Sequence, residues 1–137
     1  MSKIDNFVYC LSANTSPLDK NIIVLTGVRN SLLPDFIPGN FTFSISFSIL
    51  DIGAEEHIAK IEFLDPEGKI IANADNILIK SLETNEVPDE WSGVNVTLSL
   101  TNVILTTEGV YKTVVYFDEK WLGEKEIYVA KKKVKAE

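Results

Sequence analysis

At 137 residues and 45% hydrophobic content, the chain has enough apolar mass for one core of ordinary size and too little length for two full domains. A formal charge of -7 disfavours unspecific nucleic-acid binding, because phosphate contacts need clustered Lys and Arg. One cysteine excludes an internal disulfide, and one cysteine with one histidine excludes a Cys/His zinc site.

The chain opens Met1-Ser2-Lys3-Ile4-Asp5-Asn6 with no apolar signal core, and no later apolar run is long enough to cross a bilayer as a helix, so a cytoplasmic protein without membrane contact is expected. Phe7 to Leu11 reads as a first strand, in which Cys10 is a buried thiol acting as a small hydrophobe. Ile22 to Leu25 reads as a second. Between Gly27 and Asn40 the pattern is irregular; Pro34 and Pro38 forbid a central strand, and the apolar residues from Leu32 to Pro38 must pack on the core or on a partner.

Strict alternation follows. Phe41, Phe43, Ile45, Phe47 and Ile49 lie on one face, with Thr42, Ser44, Ser46 and Ser48 on the other, which predicts a long strand with one wet face. Ala59, Ile61 and Phe63 alternate with Lys60 and Glu62 up to Asp65-Pro66-Glu67-Gly68. There proline presets the first central turn position and glycine takes a positive φ, so Ile70 and Ile71 begin the returning strand of a hairpin. Ser81 to Gly93 is acidic and irregular and predicts an exposed crossover between sheets. Val94 to Leu100 and Tyr111 to Phe117 are further strands separated by Thr106-Thr107-Glu108-Gly109. Asp118 to Gly123 reads as a polar tip carrying Trp121, and Ile127 and Val129 close the last strand. About seven or eight strands, no helix and no interdomain linker give an all-β antiparallel sandwich over residues 1–130 with a lysine-rich tail at 131–137.

Thr107-Glu108-Gly109-Val110-Tyr111 resembles the Asp-x-Gly-x-Tyr corner of immunoglobulin-like domains, where the tyrosine hydroxyl ties a strand start to backbone upstream. Thr107 stands in place of the usual Asp, and Thr113 stands where antibody domains carry their second cysteine. The wider layout is similar to a group of small uncharacterised bacterial sandwich proteins: the strand around Cys10, the run Asn21 to Val28, Phe63 to Lys69, and Gly109 and Tyr111 with Gly123. This resemblance implies an immunoglobulin-like fold and no particular activity.

Chemistry-bearing patterns are sparse. His57 follows Glu55 and Glu56 at a strand start, where a lone histidine reads as a surface residue. No Gly-x-Ser-x-Gly elbow, phosphate loop or dinucleotide fingerprint occurs, so no catalytic residue, cofactor or metal ligand is assigned and the chain is not expected to be an enzyme. Asp51, Glu55, Glu56, Asp65 and Glu67 lack the interval of a calcium loop and read as solvated charge. Asn14, Asn40 and Asn95 sit in N-x-Ser/Thr triplets that nothing directs to glycosylation, and Lys131, Lys132, Lys133 and Lys135 read as a solvated end.

Protein binding remains. Trp91 beside Glu86, Asp89 and Glu90, and Trp121 at the predicted tip, are the candidate anchors, because tryptophan supplies large contact area at interface hot spots. Three roles fit: an interaction module that also self-associates through an open sheet edge or face, a small acidic inhibitor of phage or mobile-element type that covers a basic partner surface, and a calcium- or ligand-binding module using loops at a sheet end.

Overall fold

The computed structural model describes residues 2–19, 22–53, 55–80 and 93–133. Nine strands are present among them: β1 (Lys3–Thr15), β2 (Ile23–Arg29), β3 (Ser31–Leu32), β4 (Gly39–Leu50), β5 (Glu56–Leu64), β6 (Ile70–Lys80), β7 (Gly93–Leu105), β8 (Gly109–Phe117) and β9 (Lys120–Val129). They form a four-stranded sheet ordered β2-β1-β4-β7 and a five-stranded sheet ordered β3-β9-β8-β5-β6. All pairings are antiparallel except β3 with β9, where Ser31 and Leu32 lie parallel to Tyr128 and Val129. That ninth strand was not expected; two residues placed just before Pro34 are too few for any alternation to register.

Alternation drives the packing of the two sheets. Phe43, Ile45, Phe47 and Ile49 of β4 and Ala59, Ile61 and Phe63 of β5 are buried between them, together with Tyr111, Val115 and Phe117 of β8. Aromatic rings fill the space between the layers: Phe7 stacks on Phe47 within the four-stranded sheet with centroids 5.0 Å apart, Phe63 stacks on Tyr111 within the five-stranded sheet at 5.6 Å, and Phe43 meets Phe63 across the two at 5.2 Å. The irregular segment after β3 divides: Leu32 and Pro34 are buried and Ile37 packs on the core, while Phe36 stays exposed.

The hydroxyl face of β4 is not wet along its length, because β4 lies inside its sheet. Ser44 and Ser46 are buried, and Ser44 shares a hydrogen bond with Ser99 of β7 at 3.2 Å. The register sets Val28, Cys10, Ser44 and Ser99 in one outward row and Val8, Ser46 and Thr97 in the next. Cys10 is buried, as expected, and burial pushes its thiol pKa up, although it points to the outer side of its sheet.

Three strands carry an extra residue at an asparagine with positive φ: Asn6 at 52°, Asn76 at 54° and Asn102 at 53°. Each coincides with a register shift, between Asp5 and Val8, opposite Lys60, and opposite Thr42. Asparagine tolerates the left-handed region better than other residues with a side chain, so it suits these bulges. The Asp65 hairpin forms as expected, with Gly68 at φ +85° and its amide donating to the Asp65 carbonyl at 3.0 Å. The β8–β9 turn is shorter than expected. Phe117 pairs with Lys120, so only Asp118 and Glu119 turn the chain, both at positive φ. A two-residue connection of this kind follows the strand twist, and it moves Trp121 from a tip into β9.

Candidate functional site

The corner at the start of β8 has the geometry its sequence implies. Tyr111 is fully buried, and its hydroxyl donates to the Thr107 carbonyl at 2.7 Å. Two residues on, buried Thr113 faces Tyr9 of the opposite sheet at 2.7 Å. The Tyr9 hydroxyl also lies 2.8 Å from the Lys125 carbonyl, which only accepts. Tyr9 therefore donates to Lys125, and Thr113 donates to Tyr9, giving a directed chain across the sandwich. Burial pushes the Tyr9 hydroxyl pKa up, and the Thr113 bond offsets part of that rise.

His57 is not a simple surface residue. Its side chain is 14% exposed, its ring lies 4.5 Å from the Phe117 ring, and both nitrogens are occupied. Nδ1 is 2.6 Å from Asp118 Oδ2 and Nε2 is 2.7 Å from the Ile52 carbonyl. Two acceptors require two ring protons, so the geometry selects the imidazolium. Partial burial pulls the His57 pKa down, but Asp118, the Ile52 carbonyl and the charge of Glu55 together carry it above the ordinary histidine value. The hydrogen bonds from His57 and from the Ile58 amide hold the Asp118 carboxyl below its usual range. Neither nitrogen is left to take a proton from a nucleophile, and the arrangement fastens the β4–β5 loop to the β8–β9 turn.

The acidic residues do not gather. Asp51, Glu55 and Glu56 lie at the start of β5, and Asp65 and Glu67 at its far end, nine residues away. Asp65 Oδ1 is engaged in its own turn, accepting the Glu67 and Lys69 amides, each at 2.9 Å. Among the described residues no three His, Cys, Asp or Glu side chains stand close enough together to hold a metal ion. The lysine segment starts tethered: the Lys131 amide donates to Glu108 and the Lys132 amide to the Pro34 carbonyl at 2.8 Å. Trp91, Glu86, Asp89 and Glu90 lie outside the described residues.

Trp121 is described, and it is held outward. Between Val115 and Tyr116 the β8–β9 register shifts, which turns Leu122 onto the core and leaves Trp121 59% exposed on the outer face of the five-stranded sheet. Tyr116 stands opposite Trp121, and Lys60 opposite Tyr116, with its ammonium 4.8 Å from the tyrosine ring centre. Beside this row a shallow depression of about 710 Å³ is lined by Ile58, Lys60, Asp75, Asn76, Tyr116, Asp118 and Glu119. The Asn76 bulge shapes its wall. Leu78 and Ile58, paired across β5 and β6, and Tyr128 on β9 add exposed apolar surface to the same face. Sequence reading singled out Trp121 but not Tyr116, Lys60 or this depression, because they meet only through strand pairing.

Fold and surface define an all-β protein of two sheets packed face to face, with an aromatic and acidic outer surface on the larger sheet and, among the described residues, no helix long and apolar enough to cross a membrane. Residues 6–130 match the family of unknown function DUF6941, and the chain belongs to that family. No curated protein matches it.

Proposed function

We propose that the protein is a non-enzymatic, cytoplasmic interaction module that binds a protein partner through the outer face of its five-stranded sheet, with Trp121 as the anchor. The observation that carries this reading is Trp121 itself, 59% exposed on β9 beside the register shift that turns it outward, opposite Tyr116. Tryptophan supplies a large contact area with only two side-chain torsions to fix on binding, and such residues dominate interface energetics. Both His57 nitrogens being engaged supports the absence of acid–base catalysis.

We further infer an immunoglobulin-like frame. The Tyr111 corner, the parallel β3–β9 edge and the order of β9, β8, β5 and β6 support it, and Thr113, at the position of the second cysteine of antibody domains, bonds Tyr9 of the opposite sheet. Asp75, Asp118 and Glu119 around the depression favour a basic partner surface, which is the acidic-inhibitor version of the same reading. The protein-partner reading is preferred to the calcium- or small-ligand version because Asp51, Glu55 and Glu56 stand at one end of β5 and Asp65 and Glu67 at the other.

Capture of partners from the native host tests the proposal. Trp121→Ala should lower affinity for a stoichiometric partner by about 30-fold or more while leaving the melting temperature unchanged, as truncation of a hot spot does. Equal capture by wild type and variant would refute the anchor. Loss of affinity with rising salt would select the basic-partner version.

A further inference from the structure

The two outer faces of the sandwich differ in charge. That of the five-stranded sheet is laced with Lys60, Glu62, Lys112 and Glu124, the last two 3.3 Å apart. On the four-stranded sheet, the outward positions of β2, β1, β4 and β7 between the Asn6 bulge and the ends of the strands hold only Val, Ile, Cys, Ser, Thr and Asn, and exposed Asp5, in the row of Ser48 and Asn95, borders this patch on the other side of the bulge. In a chain that is 24% charged, this is a segregated surface. We propose that this uncharged face is a self-association surface, on which a second copy of the chain packs sheet to sheet about a twofold axis.

Three observations converge on that occupant. The first is charge: two molecules of net charge -7 repel over most of their surfaces, and this face brings no like charges together. The second is desolvation. Ser44 and Ser99 already bond each other at 3.2 Å, and Thr42 accepts the Asn102 amide at 3.0 Å. Burying hydroxyls that are partnered within the chain avoids most of the penalty for unsatisfied polar groups. Val28, 56% exposed, with Val24 and Ile104, supplies apolar area around them.

The third is size. Four strands about 4.8 Å apart and about eight residues long at roughly 3.4 Å each present on the order of 500 Å² of projected face. Two copies then bury on the order of 1,000 Å², the threshold for a specific interface. The small side chains allow close approach, and the contact is independent of the Trp121 surface on the opposite side.

Sedimentation velocity across roughly 1 to 300 µM tests the proposal. The wild type is expected to show a monomer–dimer equilibrium that is unchanged or strengthened by added salt, because salt screens the repulsion between acidic bodies. Thr97→Glu and Ser99→Lys, both at exposed positions, should each raise the dissociation constant by about 100-fold or more, since like charges face each other across the axis. Val110→Lys, exposed on the other sheet, should leave it unaltered. Melting curves identify any variant that fails to fold, and the second substitution then decides. A wild type that stays monomeric over the range, a dimer that survives both substitutions, or one lost on Val110→Lys overturns the proposal.

Discussion

His57 ties three parts of the chain to one proton count. As imidazolium it donates to Asp118 and to the Ile52 carbonyl; once neutral it satisfies only one, and its other lone pair faces an acceptor. Its folded pKa is raised, so its contribution is complete below the ordinary histidine value of about 6.5 and is lost as pH climbs through the folded value. Asp118 has a lowered pKa, so its contribution holds above about 4 and is lost as pH falls through its folded value. The melting temperature should therefore be highest between about pH 4 and pH 6.5 and decline above it. Since this is the only histidine, His57→Gln should flatten the alkaline limb, and an unchanged profile would refute the latch.

Tyr9 makes the second prediction at this scale. Tyr9→Phe strands the buried Thr113 hydroxyl and the Lys125 carbonyl and should cost about 1–3 kcal/mol by denaturant titration, whereas Thr113→Val, which leaves the Tyr9 donation intact, should cost less. Equal costs would mean that the chain is not directed as described. Separation in sequence explains what could be read beforehand. The Tyr111 corner closes over four residues and was legible, while Tyr9 and Thr113 are 104 apart and His57 and Asp118 are 61 apart.

Among the elements, alternation marks β4, β5, β7 and β8, because half-buried strands in a two-layer protein leave a period of two, while short apolar runs mark β1 and β2 and the Asp65–Gly68 turn signals β6. Their ends and bulges were less visible. A single extra residue at Asn6, Asn76 or Asn102 inverts the phase without breaking the run, and the Asp118-Glu119 turn lacks the Asn-Gly or Asp-Gly signal that marks such connections. Without that signal the sequence reads as a longer tip around Trp121, whereas the strand begins at Lys120. The bulges are testable. Asn102 is exposed at φ 53°, so Asn102→Val should destabilise by about 1–2 kcal/mol through backbone strain, while Asn102→Gly should be close to neutral. Similar losses from both would assign the cost to the asparagine side chain instead.

Taken as a whole, the molecule has a charged, aromatic face on one sheet and a hydroxyl-rich, uncharged face on the other. Composition gives only the sum of charges; segregation appears once register assigns each residue to a side. The account assigns different occupants to the two faces, a heterologous protein on the Trp121 side and a second copy on the Thr97 side. Photo-crosslinking in the native host separates them, with a photoreactive residue installed at position 121 or at position 97. The account predicts that position 121 joins the chain to a different protein and position 97 to itself. Crosslinking from position 97 to that same different protein, with none from position 121, would contradict it.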